Sequence, residues 1–434
     1  FEPEEIGAEA FHTTEIPVRL AQLSSELVSR SQAKWVMERA SQFKTVILDF
    51  EGVNHVGQAF VDEVFRVFAL AHPQIQLQTM GMTPAVAHLS DLFTTERPDK
   101  KFPDYFADPR LLAAYGVFFL PQSFTRTSIR LAQTCGLRGW KPSSQVPAIL
   151  DLGSGPGSCG VAAAYRLRQA GINKISLHGV DKSPSALASM ESFAQATLGE
   201  DVETKTRIGD ASRPETWPEG PFDLIVAGFV MNEMPQLDHA ALLRWFGELK
   251  ARLVPGGLIL ILEPALRITS ERLQKLSDDI AAGEMTRIAP ELDALPDPQL
   301  GPGEHWSHET RAWKAPASTE FVNRHLHRDL REVRFSFAAY SDAPLTPLPL
   351  GLSRLISDVQ IIKGLLRFIT IREGAIESVE VPTRGLSKHE VKKLAATFGR
   401  GDIVRHPHPA APKLRLSNHE ELRVFWTPEA PQEP

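Results

Sequence analysis

The apolar and polar positions of the first hundred residues switch between two periods. EIPVRL (15–20), TVILDFEGV (45–53) and IQLQTM (75–80) have the β-branched or alternating character of strands. SRSQAKWVMERASQF and GQAFVDEVFRVFALA, which lie between them, repeat apolar residues at helical spacing. The pattern predicts a β-α-β-α-β unit. TTERPDKKFPDYFADP (94–109), rich in Pro and charge, breaks the periodicity and predicts a linker. LLAAYGVFFLPQSFTRTSIRLAQTCGLRGW (111–140) then predicts two helices hinged at Pro121.

A second alternating series follows. Its strands are AILDL (148–152), ISLHGVD (175–181), TKTRIGD (204–210), FDLIVAGFV (222–230) and LILILEP (258–264), separated by helical stretches such as LDHAALLRWFGELKARL. Strands alternating with helices of this length predict a doubly wound, largely parallel sheet. After 265 the order fades, and 281–320 reads as Pro-rich loop. IIKGLLRFITIREGAIESVEVPTRGL predicts a hairpin turning at Glu373-Gly374, SKHEVKKLAATF a basic helix, and TPEAPQEP a disordered tail. The chain thus divides into an α/β domain over 12–93, a linker and helical lead-in over 94–145, a Rossmann-like core over 146–268 and a C-terminal α+β extension over 269–434.

Composition narrows the class. A chain of 434 residues exceeds what one core usually organises. No apolar run approaches the roughly 18 residues of a membrane span, so no membrane partner is expected. The start at Phe1, with neither a basic nor an apolar stretch after it, reads as a trimmed terminus rather than a signal peptide. Cys135 and Cys159 are the two cysteines, which argues against a disulfide scaffold and for a reducing, cytoplasmic setting. The net charge of −6 is unevenly spread: residues 1–110 hold 10 Lys and Arg against 16 Asp and Glu, whereas 321–434 hold 17 against 13. The C-terminal region is the place for RNA to dock, if the basic excess is more than an ordinary solvated surface.

The chemistry concentrates in AILDLGSGPGSCG. Gly155-x-Gly157-x-x-Gly160 by itself also resembles part of a dinucleotide fingerprint. Three features favour S-adenosylmethionine (SAM) instead. Asp151 stands two residues before Gly153 in a D-x-G-x-G-x-G pattern, where an acid at the strand end meets the methionine ammonium directly or through water. Gly153, Gly155 and Gly157 let the backbone approach the cofactor. Pro156 lacks the N–H that a pyrophosphate would need. Asp181, at the end of the next strand with Lys182 beside it, is placed to accept the ribose hydroxyls, and Asp210 with Ala211 to meet the adenine amino group. The structural alternative is that these carboxylates cap helices.

Methyl transfer from a sulfonium needs alignment and exclusion of water, and a base only for a protonated nucleophile. The candidates are Asn232 and Glu233 after the fourth strand and Glu263 after the fifth. Asn232 is placed to orient an amine or base edge and either Glu to take a proton; helix capping and loop fixing are the bland alternatives.

LPQSFTRTSIRLAQ, LDLGSGPGS, AGFVMNEM, LEPALR, EHWSHETR and REVRFSFAAY occur in an order that resembles the methyltransferase-like family of small-ribosomal-subunit assembly factors over about 110–405. The resemblance implies a SAM-binding fold joined to a cysteine-ligated iron–sulfur site and a C-terminal extension contacting ribosomal RNA. Here the stretch 288–308, where the cluster cysteines should fall, contains none, and Ser307 stands at a ligand position. His305 and His308 cannot hold such a cluster, so neither an iron–sulfur cluster nor another metal is expected. SRSQAKWVMERASQFKTVILDFEGVNHVGQAFVDEVFRVF resembles a STAS-like domain of unknown function, related to a protein-docking module. Aligned on Asp49, Gly52 and Val53, the phosphorylatable serine position of regulatory members is Gln58, which points away from a phospho-switch and towards docking of a protein partner, dimerisation with a second copy or substrate capture; a domain that only packs on the catalytic one is the bland alternative. The expected fold is therefore a Rossmann-like class I SAM-dependent methyltransferase sheet with an N-terminal STAS-like domain and a C-terminal α+β extension. RNA or a ribonucleoprotein is the leading acceptor; the alternatives are a small metabolite or peptide, and a SAM-binding assembly or regulatory factor without turnover.

Overall fold

The computed structural model describes residues 15–23, 26–27, 29–41, 43–49, 55–56, 60, 63–68, 71–80, 83–94, 96–98, 102–283, 285–293, 295–299, 306–325 and 331–427. The chain forms two compact units, one from 1–96, 105–121 and 315–330, the other from 97–104, 122–314 and 331–434.

In the first unit, β1 (Glu15–Arg19), β2 (Thr45–Asp49) and β3 (Gln76–Met80) form a parallel sheet with β2 in the centre. The buried Val46 and Leu48 of β2 explain its apolar run. α1 (Arg30–Ala40) starts at a capping box: Gln32 N donates to Ser29 Oγ at 3.2 Å and Ser29 N to Gln32 Oε1 at 2.9 Å. It buries Ala33, Val36, Met37 and Ala40. Of the helix expected over GQAFVDEVFRVFALA, Glu63–Phe68 is π-helical. α2 (Thr83–Phe93) was not foreseen. Gly52, Val53 and Gln58 lie outside the described residues.

α3 (Pro109–Arg138) is one helix of 30 residues rather than two hinged at Pro121. Proline strips the Val117 carbonyl of its helical donor. Thr319 Oγ1 donates to that oxygen at 2.9 Å in its place, from α8 (Ala317–His325). The tertiary donor makes the proline tolerable.

In the second unit the strands are β4 (Ala148–Leu152), β5 (Ile175–Asp181), β6 (Val202–Ile208), β7 (Phe222–Gly228), β8 (Leu253–Glu263), β9 (Arg287–Ala289), β10 (Glu309–Ala312) and β11 (Glu332–Ser341). The sheet order is β9-β11-β8-β7-β4-β5-β6, with β10 on the side of β11. All neighbours from β8 to β6 are parallel, whereas β11 runs antiparallel between β8 and β9. A dinucleotide fold would continue with a parallel strand there. Between strands run α4 (Ser158–Gln169), α5 (Pro184–Leu198), α6 (His239–Lys250) and α7 (Arg267–Gly283). Leu258, Leu260 and Leu262 face one core while Ile259 and Ile261 face the other, so both sheet faces are covered. The order expected to fade after 265 continues through α7 and β9 to β11.

A second sheet follows: β12 (Leu352–Leu355), β13 (Gln360–Ile362), β14 (Leu365–Arg372), β15 (Ala375–Pro382), β16 (Ile403–Arg405), β17 (Lys413–Arg415) and β18 (Arg423–Trp426). Its order is β17-β15-β14-β12-β16-β18, with β13 beside β14. β14 and β15 make the expected hairpin, with Glu373 at φ 50° and Gly374 at φ 70°. α9 (Lys388–Ala395) is the basic helix, started by Ser387 and Glu390 in a capping box. Arg354 of β12 ties this sheet to the first, donating to Glu309 Oε1 at 3.0 Å and Glu291 Oε1 at 3.1 Å, all fully buried. Most of the TPEAPQEP tail lies outside the described residues.

Candidate active site

Parallel strands ending side by side expose their last residues in one crevice, where such sheets bind ligands. β4, β5, β7 and β8 end here, and every candidate from the sequence except Asp210 and Ala211 sits on or just after them.

After β4 the chain turns through Gly153 and Gly157 at φ 67° and 87°, conformations L side chains rarely adopt. Packing also demands glycine there: a Cβ at Gly153 would lie 2.6 Å from Val230 Cγ2, and one at Gly157 2.6 Å from Met190 Cγ. Asp181 closes the loop, its Oδ2 accepting from Gly155 N at 2.8 Å and its Oδ1 from Ser183 N at 2.9 Å. Burial raises the Asp181 pKa while these amides hold it down. A carboxylate has further lone pairs beyond these two contacts. Asp151 is almost wholly buried, and its Oδ2 accepts from Gly160 N at 2.7 Å. Burial lifts its pKa to about 7. One of its oxygens thus fastens the start of α4.

Asp210 follows β6 and turns its Oδ1 onto Ser212 N at 2.8 Å and Ser212 Oγ at 2.7 Å. Its carbonyl accepts from Trp217 Nε1 at 2.9 Å, and that of Ala211 from Trp245 Nε1 at 2.8 Å. The turn is braced from both sides. Lys182 Nζ lies 3.8 Å from Glu233 Oε2, bringing together the residues after β5 and β7.

Asn232 is held by contacts within the protein. Its Nδ2 donates to Phe229 O at 2.7 Å and its Oδ1 accepts from Arg97 Nη1 at 2.5 Å, while its carbonyl accepts from Arg97 Nη2. These contacts brace the turn after β7 and take one of the two donors and one of the two acceptor sites of the Asn232 amide. Glu263, at the end of β8, is 1% exposed, and neither carboxyl oxygen accepts a hydrogen bond of full geometry. Burial raises its pKa to about 8, against the pull of the Arg272 and Arg97 guanidiniums and the Met231 and Asn232 amides. Glu263, Arg97, Arg272, Asn232 and the apolar Met231 and Pro235 line a pocket of about 260 Å³. Arg272 donates to the carbonyls of Met231 at 2.7 Å, Met234 at 2.8 Å and Leu237 at 2.5 Å.

Local pattern carried no signal for the two arginines. Arg97 stands in the stretch whose pattern predicts a linker, and Arg272 on a helix beyond the point where the periodic pattern ends. His308 accepts or donates at Nδ1 with Trp306 O at 2.9 Å, and burial beside Arg400 lowers its pKa to about 4. His305 lies outside the described residues. Ser307 offers its carbonyl to Ser336 Oγ at 3.1 Å.

Residues 149–257 match the model of a methyltransferase domain. The chain carries a class I SAM-dependent methyltransferase domain, and its cofactor is SAM. Residues 32–87 match a STAS-like domain of unknown function. No curated protein matches the sequence. Among solved structures, the methyltransferase resembles a putative class I SAM-dependent methyltransferase from Listeria monocytogenes, at 11% identity over 66% of this chain and 77% of that one, TM-score 0.33. It also resembles the N-methyltransferase NodS of Bradyrhizobium japonicum in complex with S-adenosylhomocysteine, at 13% identity over 50% and 85%, TM-score 0.30. A third is magnesium protoporphyrin IX methyltransferase from Synechocystis with bound SAM, at 11% identity over 60% and 97%, TM-score 0.31. Among the described residues no helix is long and apolar enough to cross a membrane.

Proposed function

We propose that the methyltransferase acts on RNA or a ribonucleoprotein, held by the C-terminal sheet. The observation that carries this is a pair of like charges: Arg405 of β16 stands directly opposite Arg423 of β18, both exposed and, among the described residues, without a carboxylate partner. Like charges facing across strands are destabilising, and an anion such as a phosphate bound between them would relieve that repulsion. Phe425, two residues on, is 42% exposed and offers a ring for stacking. At the opposite edge of the sheet, β17 carries the exposed Lys413 and Arg415. The order of motifs resembling ribosomal-subunit assembly factors supports the same acceptor.

SAM supplies a methyl group as a sulfonium when bound. The turn Gly153–Gly157 would face its methionine part and Asp181 its ribose, for which Asp181 retains unused lone pairs in a cradle already fixed by Gly155 and Ser183. Asp151 would meet the ammonium through its remaining oxygen or water, and Asp210 and Ala211 the adenine. Lys182 and Glu233 link the β5 and β7 sides of the crevice, and Glu263 would take a proton from an N–H or O–H nucleophile.

The test is binding of single-stranded RNA across a salt series with the Arg405→Glu/Arg423→Glu double variant. Loss of two phosphate contacts should weaken binding and reduce the log–log salt slope by about 1–2. An unchanged slope removes this surface from the reading. Label from methyl-labelled SAM should enter RNA in fractionated lysate. Label in small molecules or peptides would favour that acceptor class, and absence of any labelled product a SAM-binding factor without turnover. The STAS-like unit is read as the docking site for a partner protein or second copy.

A further inference from the structure

The pocket beside the glycine loop contains a group the fold does not use. Glu263 is buried, yet both its oxygens lack a hydrogen-bond partner of full geometry, and it lines a cavity. Burying an unpartnered carboxyl is costly, so such groups point to a ligand. The two neighbouring guanidiniums do not pair with it. Each is pinned to backbone carbonyls, Arg97 to that of Asn232 and Arg272 to those of Met231, Met234 and Leu237. They therefore stay rigid and lend positive potential without filling the carboxyl's acceptor sites.

These charges select the guest. A cation would face two guanidiniums and an anion the Glu263 carboxylate, which leaves a neutral group, whose N–H donors would hold the carboxyl ionised against the burial that raises its pKa. The two oxygens of one carboxyl, approached only off full hydrogen-bond geometry by the Met231 and Asn232 amides, suit two donors side by side. Pro98, Met231 and Pro235 supply apolar wall for a flat ring, and about 260 Å³ lies just under the size at which drug-like ligands begin. The site adjoins the cofactor loop, because Val230, next to Met231, packs against Gly153.

We infer that the Glu263 pocket reads a single unstacked nucleobase whose edge presents two adjacent N–H donors, as guanine alone among the common bases does. This rests on the RNA reading of the acceptor. Adenine lacks the ring N–H, cytosine and uracil each offer one donor position, and inosine lacks the amino group. A base must leave its stack to enter such a pocket, as in other enzymes that handle bases.

The experiment measures binding of the full chain to short single-stranded pyrimidine oligonucleotides bearing one central guanosine, inosine or adenosine, with free guanosine as a separate ligand. Guanosine-containing RNA should bind roughly tenfold or more tightly than the other two, within the range of a bidentate base contact. Glu263→Gln should reduce that preference to the inosine level with SAM affinity unchanged; the inosine comparison needs no variant and survives if the variant fails to fold. Equal binding of all three oligonucleotides overturns the base reading and leaves RNA as acceptor standing. Binding of free guanosine without RNA binding keeps the pocket and overturns the RNA acceptor. Binding of neither overturns both.

Discussion

At the scale of the residue, the carboxylates of the cofactor crevice divide by what they already hold. Asp181 satisfies two backbone amides, Asp151 one, and Glu263 none with full geometry. Asp181 is thus both a keystone of the glycine turn and the proposed ribose acceptor. Asp181→Ala should lower SAM affinity at least tenfold by calorimetry, since it removes the acceptor and frees the turn, and should cost about 1–3 kcal/mol of stability through the orphaned amides. Asp181→Asn, which keeps an acceptor, should recover part of both. Unchanged affinity in the alanine variant would place the ribose elsewhere. Asp151, Asp181 and Asp210 could be read from sequence because their positions follow strand ends. That Asn232 bonds to Phe229 and Arg97 could not, because Arg97 is 135 residues distant along the chain.

At the scale of the element, α3 shows why a proline was misread. Its local effect is loss of one hydrogen bond and crowding of the preceding turn, and sequence offers no view of a replacement donor. Thr319 provides it from 202 residues away. Thr319→Val should therefore leave the buried Val117 carbonyl without its side-chain donor and destabilise the first unit by about 1–3 kcal/mol in chemical denaturation. Thr319→Ser should stay close to wild type. A valine variant as stable as the parent would mean that the helix bends enough to satisfy Val117 another way. The hairpin of β14 and β15 is the opposite case. Gly374 announces its positive φ locally, so the turn was legible, and Glu373 before it is drawn into the same region.

At the scale of the whole molecule, the second unit joins its two sheets through buried charge. Arg354 sits between Glu309 and Glu291, with Asp297 Oδ2 at 3.8 Å, while Arg311 Nη1 reaches Asp402 Oδ1 at 2.8 Å. Partnered charges of this kind are weak sources of net stability, but removing one partner leaves the others uncompensated. Arg354→Met should cost about 3–5 kcal/mol in denaturation of the second unit. A loss below about 1 kcal/mol would show that water reaches these carboxylates. The lattice includes residues of the stretch where the resembled family carries cluster thiolates: Glu291 and Asp297 lie within 288–308. Sequence showed the missing cysteines there and could not show what occupies the space.

By itself the sequence determined the alternation of strands and helices, the glycine turn, the acids at strand ends and the hairpin, because each is set by neighbours within a few positions. It left β11 unassigned, since an antiparallel strand entering between β8 and β9 is defined by its partners rather than by its own pattern. Tertiary structure alone decided that Arg97 and Arg272 flank Glu263, that Asn232 braces a turn, and that Arg354 links two sheets. The physical reason is common to all three: burial and charge compensation depend on residues far apart in the chain, and they become neighbours only when the sheet closes.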